Sequence, residues 1–219
     1  MYIVLKLRKC VFSFLFYLYS SFHLKNKGDV RLSEFSINNP VIAAVRDVKY
    51  MNYAVQTPID TIFLMTGDIL TLEENVKIAR NNDKKIFIHV DLVKGLAKDK
   101  EGIKYLSRQV KPDGIVTTKT HLLLAAKKEG ILTVQHLFLL DTQAYEIGIK
   151  NILDVKPDAV EIMPGLMPRV IKDLKQQIPC PIICAGLIKE EHEVKEALKA
   201  GATATAIGDQ SLWDLNISK

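Results

Sequence analysis

His89 and Asp91 stand two residues apart at the end of an apolar run. On a strand, that spacing turns both side chains to one face. An imidazole beside a carboxylate is the raw material of an acid/base pair or of a metal site, while a lone histidine on an apolar strand is also a common core residue. Lys119 follows a second apolar run and could form a Schiff base if its ammonium pKa were depressed. Glu161 is framed by Val160 and Ile162, so its carboxylate needs a cation or a donor, and Arg46 and Lys119 are the candidates. Gly186 and Gly208 each end an apolar run. Their backbone N–H groups, with the N-terminus of a short last helix, could cradle a phosphate dianion, although Asp209 would repel it. The sequence contains no Gly-x-Ser-x-Gly, P-loop or HExxH pattern.

These residues need a scaffold that brings strand ends together. Continuous apolar runs fall at 41–45, 61–65, 85–90, 114–117, 132–138, 159–162, 181–184 and 203–207, the pattern of parallel strands covered on both faces. Amphipathic stretches at 49–55, 72–81, 100–109, 121–129, 141–153, 167–177 and 190–199, and a short one from Asp209, fill the gaps. Thr71 with Glu74 has capping-box spacing, and Gly130 and Gly201 fit positions just past helix ends. Lys-Pro-Asp occurs at 111–113 and 156–158, each time between a helix and a strand. Eight strand–helix units predict an α/β fold, a single (β/α)8 TIM-type barrel; a doubly wound sheet is the alternative, but no GxGxxG follows the first strand. The working face of such a barrel is the C-terminal end of its strands. The candidate ligand-binding residues there are Arg46, Asp68, His89, Asp91, Lys119, Gln135, Glu161, Gly186 and Gly208.

Composition sets outer limits. The chain has 219 residues with 48% hydrophobic and 25% charged, which excludes collagen and disordered chains. Three cysteines without CxxC or Cys/His spacing argue against a disulfide framework or a structural zinc, and point to reducing cytoplasm. No metal or cofactor is expected. The net charge of +5 is concentrated in residues 77–132, where thirteen Lys/Arg face six Asp/Glu. Such a stretch could track nucleic-acid phosphates or be a solvated face.

Residues 1–31 are set apart as an N-terminal extension, with the barrel domain over 32–219. Lys6, Arg8 and Lys9 precede a short apolar run at 10–19, which imitates a signal peptide but is too short for a comfortable membrane span. Lys27-Gly28-Asp29 can be encoded by a ribosome-binding sequence, so the expected start lies near Leu32. A membrane-associated anchor and a secretion signal are the other readings, and no stable membrane association is expected.

Several segments then stand in a familiar order: Val41-Ile-Ala-Ala-Val-Arg-Asp47, Ile88-His-Val-Asp-Leu-Val-Lys-Gly95, Pro112-Asp-Gly-Ile-Val-Thr-Thr-Lys119, Gln135-His-Leu-Phe-Leu-Leu-Asp141, Lys156-Pro-Asp-Ala-Val-Glu-Ile-Met-Pro-Gly165 and Ala197-Leu-Lys-Ala-Gly201. Over about Pro40 to Trp213 the chain resembles the glycerol-3-phosphate-responsive antiterminator family, regulators of glycerol uptake operons. The resemblance implies a non-enzymatic TIM-type barrel in the cytoplasm, with glycerol 3-phosphate as effector and the leader mRNA of glycerol operons as partner. Binding would prevent transcription termination. Lys98, Lys100, Lys104, Arg108, Lys127 and Lys128 are the candidate RNA contacts, with Tyr105 or His121 available to stack on bases. A homo-oligomer is allowed for. The chain departs from the family at Lys119 and His136, where arginine is usual, at Ala185-Gly186 for Gly-Gly, and at Gly208-Asp209 for a Ser/Thr-rich turn with Asn. Lysine exchanges a planar bidentate donor for a point charge. Two other classes stay open. One is a phosphate-binding barrel enzyme of aldolase or epimerase type, with Asp47, Asp68, His89, Asp91 or Lys119 as its base. The other is a ligand-binding barrel without RNA binding.

Overall fold

The computed structural model describes residues 35–217, and the readings of residues 1–31 lie outside the described residues. The eight strands are β1 (Val41–Val45), β2 (Thr61–Leu64), β3 (Lys85–His89), β4 (Gly114–Thr117), β5 (Leu132–Phe138), β6 (Ala159–Met163), β7 (Ile182–Ala185) and β8 (Ala204–Ile207). Each pairs in parallel with the next, and β1 also pairs with β8 through Val41↔Thr205 and Ala43↔Ile207, closing the barrel. The outer layer is α1 (Met51–Ala54), α2 (Leu72–Asn81), α3 (Lys100–Tyr105), α4 (Thr120–Lys128), α5 (Thr142–Val155), α6 (Pro168–Gln177) and α7 (Glu191–Lys199). A π-helical turn at Leu106–Val110 extends α3. The expected eighth helix is only a 3-10 turn, Gln210–Leu212. Among the described residues, no helix is long and apolar enough to cross a membrane.

Period-two alternation splits each strand between two cores. Ile62, Leu64, Ile86, Ile88, Val160 and Ile162 face the helices, while Ile42, Phe63, Phe87, Val116, Val134 and Ile183 fill the barrel. The filling is lopsided. Phe63 and Phe87 stack on one side with ring centroids 5.4 Å apart, whereas the inward residues Ala44, Ala159, Ala185, Ala204 and Ala206 on β1 and β6–β8 are small. The barrel is therefore solid at its base and has room at the mouth over β8 and β1.

Both Lys-Pro-Asp sequences are structural devices at the base. Lys111 and Lys156 adopt left-handed φ of 55° and 53° and close the helices before them with N–H bonds to Leu106 and Ile152, both 2.7 Å. The aspartate then reaches the neighbouring strand: Asp113 Oδ2 accepts from Ile86 N at 2.8 Å, and Asp158 Oδ2 from Thr133 N at 2.9 Å. Asp60, just before β2, does the same with Asn38 N at 2.7 Å.

The Thr71 cap is a correction. Thr71 has helical φ/ψ and makes no side-chain cap bond. Asp68 turns the chain into α2 instead, its Oδ1 accepting from Leu70 N at 2.9 Å and Thr71 N at 3.1 Å. Gly130 and Gly201 do occupy positive-φ positions past α4 and α7. Burial pushes the thiols of Cys180 and Cys184 up to about 11 and about 12, so neither is a nucleophile near neutral pH.

Candidate functional site

The C-terminal strand ends surround a cavity of about 810 Å³. Ala44, Ala206 and Gly208 line one side, and their small size is what leaves the space open. At the floor three ionisable side chains meet. His89, His136 and Glu161 are 4%, 3% and 0% exposed. His136 Nδ1 lies 2.6 Å from Glu161 Oε2 and 3.4 Å from His89 Nε2. His136 thus supplies the partner that Glu161 requires, in place of Arg46 or Lys119. His89 Nδ1, His136 Nε2 and Glu161 Oε1 have no hydrogen-bond partner among the described residues, although all three side chains line the cavity. Buried polar atoms are normally satisfied, so this floor leaves hydrogen-bonding capacity open toward the cavity.

Beside the floor, β3 ends at His89, and Asp91 lies in the 3-10 turn Val90–Leu92 rather than on the strand. Both nevertheless line the cavity. Asp91 Oδ2 accepts from Thr117 Oγ1 at 3.0 Å, Thr118 N at 2.8 Å and Thr118 Oγ1 at 3.0 Å. Burial works against its charge, but the Thr118 and Thr117 donors outweigh it and hold the carboxyl below its ordinary value. Lys119 Nζ approaches Asp91 Oδ1 at 3.6 Å. This lysine is engaged with a carboxylate beside the cavity, which does not favour a Schiff-base role.

The rim carries the remaining charge. Arg46 and Lys189 line it and form no ion pair among the described residues. The Arg46 side chain passes Gly208 so closely that a Cβ there would lie 3.0 Å from Arg46 Cδ. Gly186 has φ of 76° and also lines the cavity. The expected helix N-terminus is not available for an anion. Asp209 Oδ1 accepts from Ser211 N at 3.1 Å and Ser211 Oγ at 2.7 Å, and these bonds hold its carboxyl below its ordinary value. A negative cap occupies the place proposed for a phosphate.

Three expected residues do not line the cavity: Lys119, beside it on Asp91, and Asp68 and Gln135. The Asp68 carboxylate is bound in the turn before α2 and does not line the cavity. Gln135 alternates with the inward Val134 and His136, so it points to the helix layer, where both its amide atoms are buried without partners among the described residues. Sequence reasoning chose Gln135 over its neighbour because the strand's inward phase could not be read without the closed sheet. Lys189 was also passed over; its signal was a place in the loop after β7.

The basic residues of 77–132 are scattered. Lys98 Nζ donates to Asp91 O at 2.7 Å. Arg108 pairs with Glu129 at 3.3 Å. Lys127 closes α5 by donating to Val155 O and Lys156 O. Lys100, Lys104 and Lys128 remain on the α3–α4 wall, the first two only 3.7 and 4.0 Å from Glu101.

The floor makes folding pH-sensitive. Burial, and then the charge of His136, push the His89 pKa below 6.5. The unfolded chain therefore takes up a proton that the native protein refuses, and stability falls as the pH drops below about 6.5. Urea unfolding at stepped pH should show a decline in stability as the pH falls through the range where the unfolded His89 takes up its proton. His89→Gln should flatten it; an unchanged slope would show that His89 is not its source.

Fold and site together define a TIM-type barrel with a cavity at the C-terminal ends of its strands. The chain belongs to the glycerol-3-phosphate responsive antiterminator family, whose sequence pattern matches residues 41–213. It is similar to the glycerol uptake operon antiterminator regulatory protein from Listeria monocytogenes, with 30% identity, TM-score 0.80, and coverage of 84% of this chain and 100% of that one. A glycerol uptake operon antiterminator-related protein from Thermotoga maritima is 34% identical at TM-score 0.72, covering 81% and 99%. An uncharacterized protein of Escherichia coli K12, YgcP, is 34% identical over 177 residues, 81% of this chain and 93% of the relative.

Proposed function

We propose that this regulator is an RNA-binding antiterminator that senses glycerol 3-phosphate and acts in the cytoplasm on the leader mRNA of glycerol genes, without catalysis. The observation that carries the ligand reading is the buried His89–His136–Glu161 floor, with atoms unpartnered among the described residues, bordered by the rim cations Arg46 and Lys189. Glycerol hydroxyls can both donate and accept, matching the imidazole nitrogens and the carboxylate. The phosphate would lie toward Arg46 and Lys189, with Gly186 and Gly208 permitting close approach. The RNA reading rests on the family and on the α3–α4 wall. Lys100 and Lys104 hold only solvent-exposed ion pairs, which are weak and can be exchanged for phosphates, and Lys128 is exposed.

The test is binding of a glycerol-operon leader RNA with and without glycerol 3-phosphate across a salt series. The ligand should strengthen binding. Affinity should fall by about 0.7 log units per log unit of salt for each phosphate neutralised on a single strand. Ala206→Leu, which puts a larger side chain into the cavity wall, should abolish the ligand's effect while leaving basal RNA binding. Ligand-induced thermal stabilisation without RNA binding would leave a ligand-binding barrel only, and turnover of a sugar phosphate would make it an enzyme.

A further inference from the structure

We propose that the pocket also accepts glycerol phosphodiesters, with the glycerol end on the histidine–glutamate floor and the second ester group leaving through the rim; this rests on the glycerol phosphate reading above.

The first argument is charge. The rim holds two cations, Arg46 and Lys189, and one anion, Asp209. Ser211 donates to Asp209 twice and keeps it ionised at neutral pH. One positive charge is therefore left over at the level where the phosphate lies. A phosphate monoester carries about −1.5 to −2 near pH 7, whereas a phosphodiester carries about −1, as each link of a nucleic-acid backbone does. The floor does not make up the difference, because His136 there is already matched with the Glu161 carboxyl, and Asp91 with Lys119. The rim thus matches a diester, and it must take a monoester against the field of Asp209.

The second argument is space. A cavity of about 810 Å³ is in the range that holds drug-sized ligands, far larger than glycerol phosphate. The unfilled part lies outward, where the lining turns apolar: Leu92, Phe138, Leu140 and Leu187. Leu140 is 81% and Leu187 69% exposed. Leu187 is also held at φ of 65°, a left-handed conformation that residues other than glycine seldom adopt. A monoester leaves this rim bare. The substituent of a diester would cover it.

The experiment uses the full chain and isothermal titration at fixed ionic strength, with glycerol 3-phosphate, sn-glycero-3-phosphocholine and glycerophosphoglycerol as probes. The two diesters differ in head-group charge, so binding of both reports the shared glycerol phosphodiester. Dissociation constants within about tenfold of the monoester support the proposal. A normal response to glycerol 3-phosphate with both diesters weaker than that overturns it and leaves the antiterminator reading standing. Binding of none of the three removes both. Asp209→Asn keeps an acceptor for Ser211 and so keeps the turn. It should tighten glycerol 3-phosphate by about fivefold, with less than half that effect on either diester. An equal change for monoester and diesters would overturn the charge argument.

Discussion

His136→Leu is expected to destabilise the protein by about 3 kcal/mol, the cost of leaving a buried polar group without its partner. Glu161 is fully buried, and His136 Nδ1 at 2.6 Å is its close partner. With the imidazole gone, Glu161 would keep a carboxylate inside the barrel with no donor among its neighbours, since Oε1 already lacks one. The double variant His136→Leu/Glu161→Leu should recover most of the loss, because two apolar side chains of similar volume remove the unpaired charge along with its partner. Urea unfolding of the two single variants and the double one gives the coupling directly. Additive effects would mean that the two groups do not act as a pair. Both single variants should also lose the response to glycerol 3-phosphate, whereas a purely structural pair would leave that response intact in whatever protein stays folded.

Gly114→Ala should cost about 3 kcal/mol through overpacking. A Cβ at this first residue of β4 would lie 2.3 Å from Phe87 Cε1 and 2.8 Å from the carbonyl oxygen of Leu132. The ring cannot withdraw easily, because Phe63 and Phe35 hold it with centroids at 5.4 and 5.8 Å. The carbonyl belongs to the adjacent strand β5, so moving it disturbs the ladder. Pairing Gly114→Ala with Phe87→Leu should restore part of the stability by making room for the methyl group. If Gly114→Ala unfolds at the wild-type urea midpoint, the base of the barrel is looser than these distances require.

The elements were legible because their causes are local. Parallel strands covered on both faces are mostly apolar, and the runs at 41–45, 114–117 and 132–138 match β1, β4 and β5 residue for residue. The largest departures came where local rules compete. Thr71 has an N-cap's chemistry, but Asp68 takes over the turn three residues earlier. The 3-10 turn after β8 is too short to be the anticipated helix.

The site was legible only in outline. Sequence order alone determined that His89, Asp91, Glu161, Gly186 and Gly208 come at strand ends, and in a parallel barrel all such ends share one face. It could not determine which neighbour at each end points inward. That phase depends on how β1 meets β8, a contact between the two ends of the fold. Tertiary closure chose His136 over Gln135 and brought its imidazole against Glu161 from the next strand. These are contacts between side chains on different strands, and no local propensity encodes them.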